Sequence, residues 1–188
     1  MKKYFFAIAA LAALTMSSCN PDNEVKKDEP TNPGITAAAA GNLVINEYSG
    51  NSKFIELYNI SDKEISLEGV TLLKNDEEGA LWTGLENHKL AAGAFMILYS
   101  NKTTLEGAIA DQTFNGGLSP KKSVKLELLD KDGNSIQAVS RGPEPWDSSC
   151  TENKDCGFSR VPDGTGEFVY AVETPGAANG EKVADIVD

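Results

Sequence analysis

From Gly41 onward, apolar and polar residues alternate in short runs separated by turn residues, with a period of two rather than the helical period. The runs "LVINEY" (Leu43–Tyr48) and "KFIELYNI" (Lys53–Ile60) flank "SGNS" and predict two strands joined by a tight connection. Ile65 and Leu67, then Val70 and Leu72, are spaced for one face of a further strand pair. "AFMILYS" (Ala94–Ser100) is a nearly unbroken apolar run and predicts a central strand. "SVKLELLDKDGNSIQAVS" predicts a hairpin: Val124, Leu126 and Leu128 share one face, Lys125 and Glu127 the other, Asp132-Gly133 turns, and Ile136 to Val139 return. No window holds sustained helical periodicity, although "TTLEGAIADQTF" (Thr103–Phe114) has room for one short helical turn. About seven to nine short strands, with turn signals every 8–12 residues or so, predict an all-β sandwich.

The first forty residues follow a different pattern. Lys2 and Lys3 precede "YFFAIAALAAL", an apolar run too short to span a bilayer as a helix, which needs roughly 20 residues. Met16-Ser17-Ser18-Cys19 then resembles a bacterial lipobox, in which small residues precede a cysteine that is lipidated and becomes the new N-terminus. Residues 1–18 are expected to be the signal peptide and Cys19 the anchor, since an exported chain rarely keeps an unpaired thiol at its start. "NPDNEVKKDEPTNPGITAAAA" (Asn20–Ala40) has three prolines and almost no large apolar residue. It cannot bury enough surface to offset its ordering entropy, so residues 19–40 are expected to be a flexible tether. Its acidic start also resembles the surface-export signal of some Gram-negative lipoproteins. The folded domain is placed at 41–180, with 181–188 as a tail.

Charge narrows the partners. The chain has 17 Lys+Arg against 28 Asp+Glu, a formal charge of −11. Loss of Lys2 and Lys3 with the leader would make that −13. Nucleic acid is therefore not an expected partner, because phosphate binding draws on a cationic surface. The remaining cysteines, Cys150 and Cys156, enclose "TENKD". In an oxidising envelope compartment they are expected to form a disulfide, contributing about 2 kcal/mol in the chain-entropy model. A metal site would need two more ligands, and His88 is the only histidine.

Four segments in order resemble the lamin tail domain family. "LVINEYSGNSKFIELYNISDKEISLEGVTLLK" is similar to its opening strands, "HKLAAGAFMILY" to its step into a central strand, and "GLSPKKSVKLELLDKDGNSIQAV" to its hairpin. "GFSRVPDGTGEFVYAVETPGAAN" is similar to the closing segment of bacterial members. The resemblance spans Asn42 to Asn179 and implies a compact immunoglobulin-like β-sandwich without catalytic activity. One position departs from the pattern: Val70 stands where the family carries a tryptophan, so the core must repack, with Trp82 the candidate to fill the space. Asn46, Glu47, Glu56, Asn59, Arg160, Pro175, Gly176 and Asn179 fall on the family motifs. The resemblance implies structural work for them at strand ends and turns.

Chemistry was sought on the same residues. Glu47 and Glu56 could pair for metal or acid–base work. The alternative is that they bond backbone groups, with Asn59 shaping the turn into Ser61-Asp62. "DKDGN" (Asp130–Asn134) lacks the spacing of a calcium loop and reads as a hairpin turn. No nucleophile elbow, zinc-protease or phosphate-loop motif is present. "RGPEPWDSSCTENKDC" is a proline-stiffened loop carrying Trp146, and Arg141, Pro143, Pro145, Trp146 and Asp147 are the candidate partner contacts. The sequence thus predicts a lipid-anchored envelope protein, placed at the outer membrane with a surface-exposed domain. It would hold no metal or cofactor, and its domain would serve as a binding or adhesion module for an extracellular protein or glycan. A second reading makes it the accessory subunit of a separately encoded extracellular hydrolase, a nuclease or phosphatase.

Overall fold

The structure is a computed structural model that describes residues 34–143 and 156–184. Its elements in chain order are β1 (Thr36–Ala37), β2 (Leu43–Ser49), β3 (Phe54–Asn59), β4 (Ile65–Ser66), β5 (Thr71–Lys74), β6 (Trp82–Thr83), β7 (Lys89–Leu90) and β8 (Phe95–Ser100). A single 3₁₀ turn, Ala110–Gln112, precedes β9 (Thr113–Phe114), β10 (Val124–Leu129), β11 (Ser135–Arg141), β12 (Cys156–Val161), β13 (Glu167–Val172) and β14 (Lys182–Ala184).

The strands form a seven-stranded sheet in the order β14-β13-β12-β2-β3-β8-β9, a four-stranded sheet β11-β10-β5-β6 and a small sheet β1-β4-β7. One hydrophobic core joins them: Ile45, Leu57, Leu98 and Phe158 from the large sheet meet Leu72, Leu126 and Leu128 from the four-stranded one. This is an all-β sandwich. The alternation read along residues 124–128 holds, with Val124, Leu126 and Leu128 buried. The hairpin turn is held by Asp130, whose Oδ1 accepts from Asp132 N–H at 2.9 Å and Asn134 N–H at 2.8 Å, while Gly133 takes φ +84°.

Val70 and Trp82 both enter the core, and Gly84 N–H donates to the Val70 carbonyl at 2.8 Å, which sets Trp82 on the strand facing Val70's. The Trp82 indole N–H donates to the Asp111 carbonyl at 3.0 Å, so its polar end is satisfied.

Two boundaries and one strand position differ from the sequence reading. The folded part starts before Gly41: β1 pairs in parallel with β4, and Ala38 is buried in the core. β14 pairs with β13 inside the segment read as a tail. Both are strands of two or three residues, too short to show a period-two alternation, so the local sequence carries no sign of them. The third difference is β8. It pairs fully with β3 on one side, but β9 reaches only Tyr99 and Ser100 on the other, so β8 is an edge strand over most of its length. Its apolar run has a different cause from centrality. Met96 and Leu98 point into the core, while Phe95, Ile97 and Tyr99 are half-buried on the opposite face.

Candidate functional site

Seven of the eight motif residues named from the sequence meet in one place, and a bulge puts them there. The β2–β3 register slips between Ile45 and Glu47, leaving Asn46 as an extra residue with its side chain turned to its neighbours. Glu47 then faces Glu56 across the two strands, on the face of the sheet opposite the core. Both carboxylates are 0 % exposed.

Donors cover them from four directions. Glu47 Oε1 accepts from Ser159 Oγ at 3.0 Å, and both its oxygens lie 3.2 Å from Thr174 N–H. Glu56 Oε1 accepts from Asn46 Nδ2 at 3.0 Å, and Oε2 from Gly176 N–H at 2.7 Å. The second Asn46 amide hydrogen goes to Asp163 Oδ1 at 2.8 Å, and Asn46 Oδ1 accepts from Gly164 N–H at 2.8 Å. Asn179 completes the knot by donating to the Arg160 carbonyl at 2.9 Å, while its own N–H donates to Asp163 at 3.1 Å.

The segment "TPG" supplies the two donors by its turn chemistry. Ala177 N–H donates to the Thr174 carbonyl at 2.9 Å, Pro175 occupies the second position and Gly176 the third with φ +83°. Proline pre-sets its own φ and glycine takes the positive φ at the third position without strain, the requirements of a type II turn. That turn aims Thr174 N–H at Glu47 and Gly176 N–H at Glu56. The segment after β13 is thereby strapped across the outer face of β2 and β3. Glu173, the first residue of the strap, also accepts from Ser49 Oγ and Ser52 Oγ.

Burial dominates the electrostatics. It pushes Glu47 up to about 8, helped next by the neighbouring Glu56 carboxylate and opposed by the Ser159 and Thr174 hydrogen bonds. Burial likewise pushes Glu56 up to about 7, against the Asn46 and Gly176 donors. The pair holds a proton at neutral pH. Its four oxygens are already engaged, so its chemical capacity goes into fastening the strap. Among the described residues, no group of three or more His, Cys, Asp or Glu side chains is placed to hold a metal ion.

Arg160 supports the knot from beside it. Its Nε donates to the Ile45 carbonyl at 3.0 Å, its Nη1 to the Gly166 carbonyl at 2.7 Å, and its guanidinium lies 4.3 Å from the Phe168 ring centroid. Asn59 works elsewhere. Its Nδ2 donates to the carbonyls of Lys63 at 2.7 Å, Leu90 at 2.9 Å and Ala91 at 3.0 Å, and its Oδ1 accepts from Ser61 N–H at 2.9 Å. It ties the turn after β3 to the end of β7.

Of the candidate partner loop, Arg141 turns inward. It is buried, its Nη1 donates to the Lys122 carbonyl and its Nη2 to the Ser119 carbonyl, both at 3.1 Å, and its guanidinium stacks 4.8 Å from the Phe158 centroid. Pro143 is exposed. Pro145, Trp146 and Asp147 lie outside the described residues, as does Cys150, so the expected disulfide falls there too; Cys156 is buried at the start of β12. Sequence reasoning missed Asp163, Ser159, Thr174 and Glu173. The one available signal was their place inside the closing segment "GFSRVPDGTGEFVYAVETPGAAN".

A family model described as Lamin Tail Domain matches residues 36–143. The match runs from β1 through β11, and β12 and β13 complete the same large sheet beyond it. No curated protein matches the chain.

Proposed function

The chain belongs to the lamin tail domain family, and from that premise we propose that it displays this one domain from a lipid anchor in the cell envelope, as a non-catalytic binding or adhesion module. The observation that carries the reading is the order of segments: a basic pair, a short apolar run, small residues, Cys19, a proline-bearing acidic stretch and then the domain. Among the described residues no helix is long and apolar enough to cross a membrane. In this reading the anchor is a set of acyl chains at Cys19, and more than one chain is needed for stable attachment. The mechanism is presentation: the tether extends the domain, and its loops and open faces meet an extracellular protein or glycan. The engagement of Glu47 and Glu56 as fasteners favours this reading over hydrolysis by the pair. In an oxidising compartment, Cys150 and Cys156 would close the loop that carries Trp146.

Protease shaving of intact cells, with mass spectrometry of the N-terminal peptide, tests the proposal. It predicts a diacylglyceryl-modified Cys19 on a protein that protease releases from the cell surface. An unmodified N-terminus, or a lipidated protein fully protected from protease, would contradict surface display.

A further inference from the structure

Strand edges carry main-chain groups that need partners, and among the described residues β8 has some with no strand against them. Asn59 N–H donates to the Ala94 carbonyl at 3.1 Å, and Ser100 N–H donates to the Lys53 carbonyl at 3.0 Å. The β3–β8 register between those points is unbroken, so Met96 and Leu98 also face β3. Phe95, Ile97 and Tyr99 therefore direct their N–H and C=O groups the other way. β9 meets that edge only from Tyr99 onward. No strand of the described residues lies against Phe95 or Ile97.

A groove of about 370 Å³ runs beside this edge, lined by Phe95, Ile97, Tyr99, Ile109, Gln112 and Lys89 among others. Its floor is the half-buried face of β8, where the strap stops: a Cβ at Gly176 would lie 3.5 Å from Ile97 Cδ1. Its far wall is the 3₁₀ turn, and that wall is clamped. His88, 3 % exposed, sits 3.2 Å from Asp111 Oδ2 through its Nε2 and stacks on Trp82, whose indole N–H holds the Asp111 carbonyl. Ile109 stands on this wall 51 % exposed, one of two large apolar side chains so exposed among the described residues.

We propose that the groove along the free edge of β8 takes an extended peptide, which pairs its main chain with Phe95 and Ile97 as an added strand. Its alternate side chains pack between Ile97 and Ile109, and an acidic group meets Lys89. The inference rests on the reading of the domain as a binding module and gives that module a partner class. The unmatched main-chain groups call for a polypeptide backbone rather than a sugar. Among the described residues Lys89 is the one charged residue lining the groove, so it matches a single carboxylate on the peptide, whereas the formal charge of −11 carried by each chain opposes the approach of a second copy.

The test pans a phage-displayed library of random linear peptides against the full chain. Enriched peptides are expected to alternate apolar residues and to carry Asp or Glu. A synthetic representative is expected to lose about tenfold in affinity when alternate amides of one parity are N-methylated, and little when the other parity is. Ile109→Asp and Lys89→Glu, both at exposed positions, should each weaken it while circular dichroism and Tm stay unchanged. No enrichment would overturn the inference, and so would binding indifferent to N-methylation and to both variants. Self-association abolished by Ile109→Asp would overturn it in favour of a second copy. A glycan array run in parallel separates the two levels: glycan binding without peptide binding removes the groove proposal but keeps the module, whereas silence on both removes the module as well.

Discussion

Glu47 and Glu56 are acidic residues placed where acids are costly, and their environment makes them proton carriers at neutral pH. Each has its pKa raised from 4.5, to about 8 and about 7 respectively, so the folded chain binds more protons than the unfolded chain between those limits. The stabilising effect is then full below pH 4.5 and is lost as pH rises through about 7 and 8. Thermal melts of the full chain should show Tm falling from pH 5 to pH 9, and Glu47→Gln, which cannot ionise, should flatten that fall. A Tm that rises over this range would contradict the assignment. Asn59 is the second residue with a sharp expectation. It is fully buried and fastens three carbonyls and a turn N–H, so Asn59→Ala should cost about 2–3 kcal/mol in chemical denaturation, with an unchanged m-value. The sequence pointed to Glu47, Glu56 and Asn59 through motif resemblance. It assigned no role to Ser159 or Thr174, whose bonds to Glu47 span 112 and 127 positions and exist only because β12 lies beside β2 and the strap after β13 crosses it.

Among elements, the β10–β11 hairpin was legible because alternation, turn chemistry and register all agree locally. β8 was misread for an equally physical reason. An unbroken apolar run looks the same whether a strand, a strap or an empty groove lies over its second face. Only the pairing pattern reveals that β9 is too short to cover the outer edge of β8. The 3₁₀ turn before β9 was anticipated in type, but its role as the clamped wall of the groove depends on His88 and Trp82, more than twenty residues upstream. Removing the clamp should therefore act locally. In Asp111→Ala, amide hydrogen exchange at residues 109–114 is expected to accelerate several-fold while β2, β3 and β12 keep their protection. Uniform acceleration across the sandwich would show that the turn is integral to global stability instead. The strap offers a contrasting case. Gly176→Val places a β-branched residue at φ +83° and should displace the N–H from Glu56, lowering Tm and making exchange at 174–177 faster.

At the scale of the whole molecule, the chain belongs to the lamin tail domain family, and the proposal gives its N-terminal segment a role in chemistry after translation. The fold class was readable from period-two patterning and turn spacing. The extent of the domain was less so, because β1 and β14 are brief pairings too short to show an alternation of their own. The central claim, that Cys19 holds this domain in the envelope, is tested most directly by Cys19→Ser. Cells producing the wild-type and the variant chains would be lysed and separated into membrane and soluble fractions. Anchoring predicts that the wild-type protein sediments with membranes and that the variant is lost from them, appearing soluble or as unprocessed precursor with its leader attached. Equal recovery of fully processed wild-type and variant protein in the same fraction would contradict it.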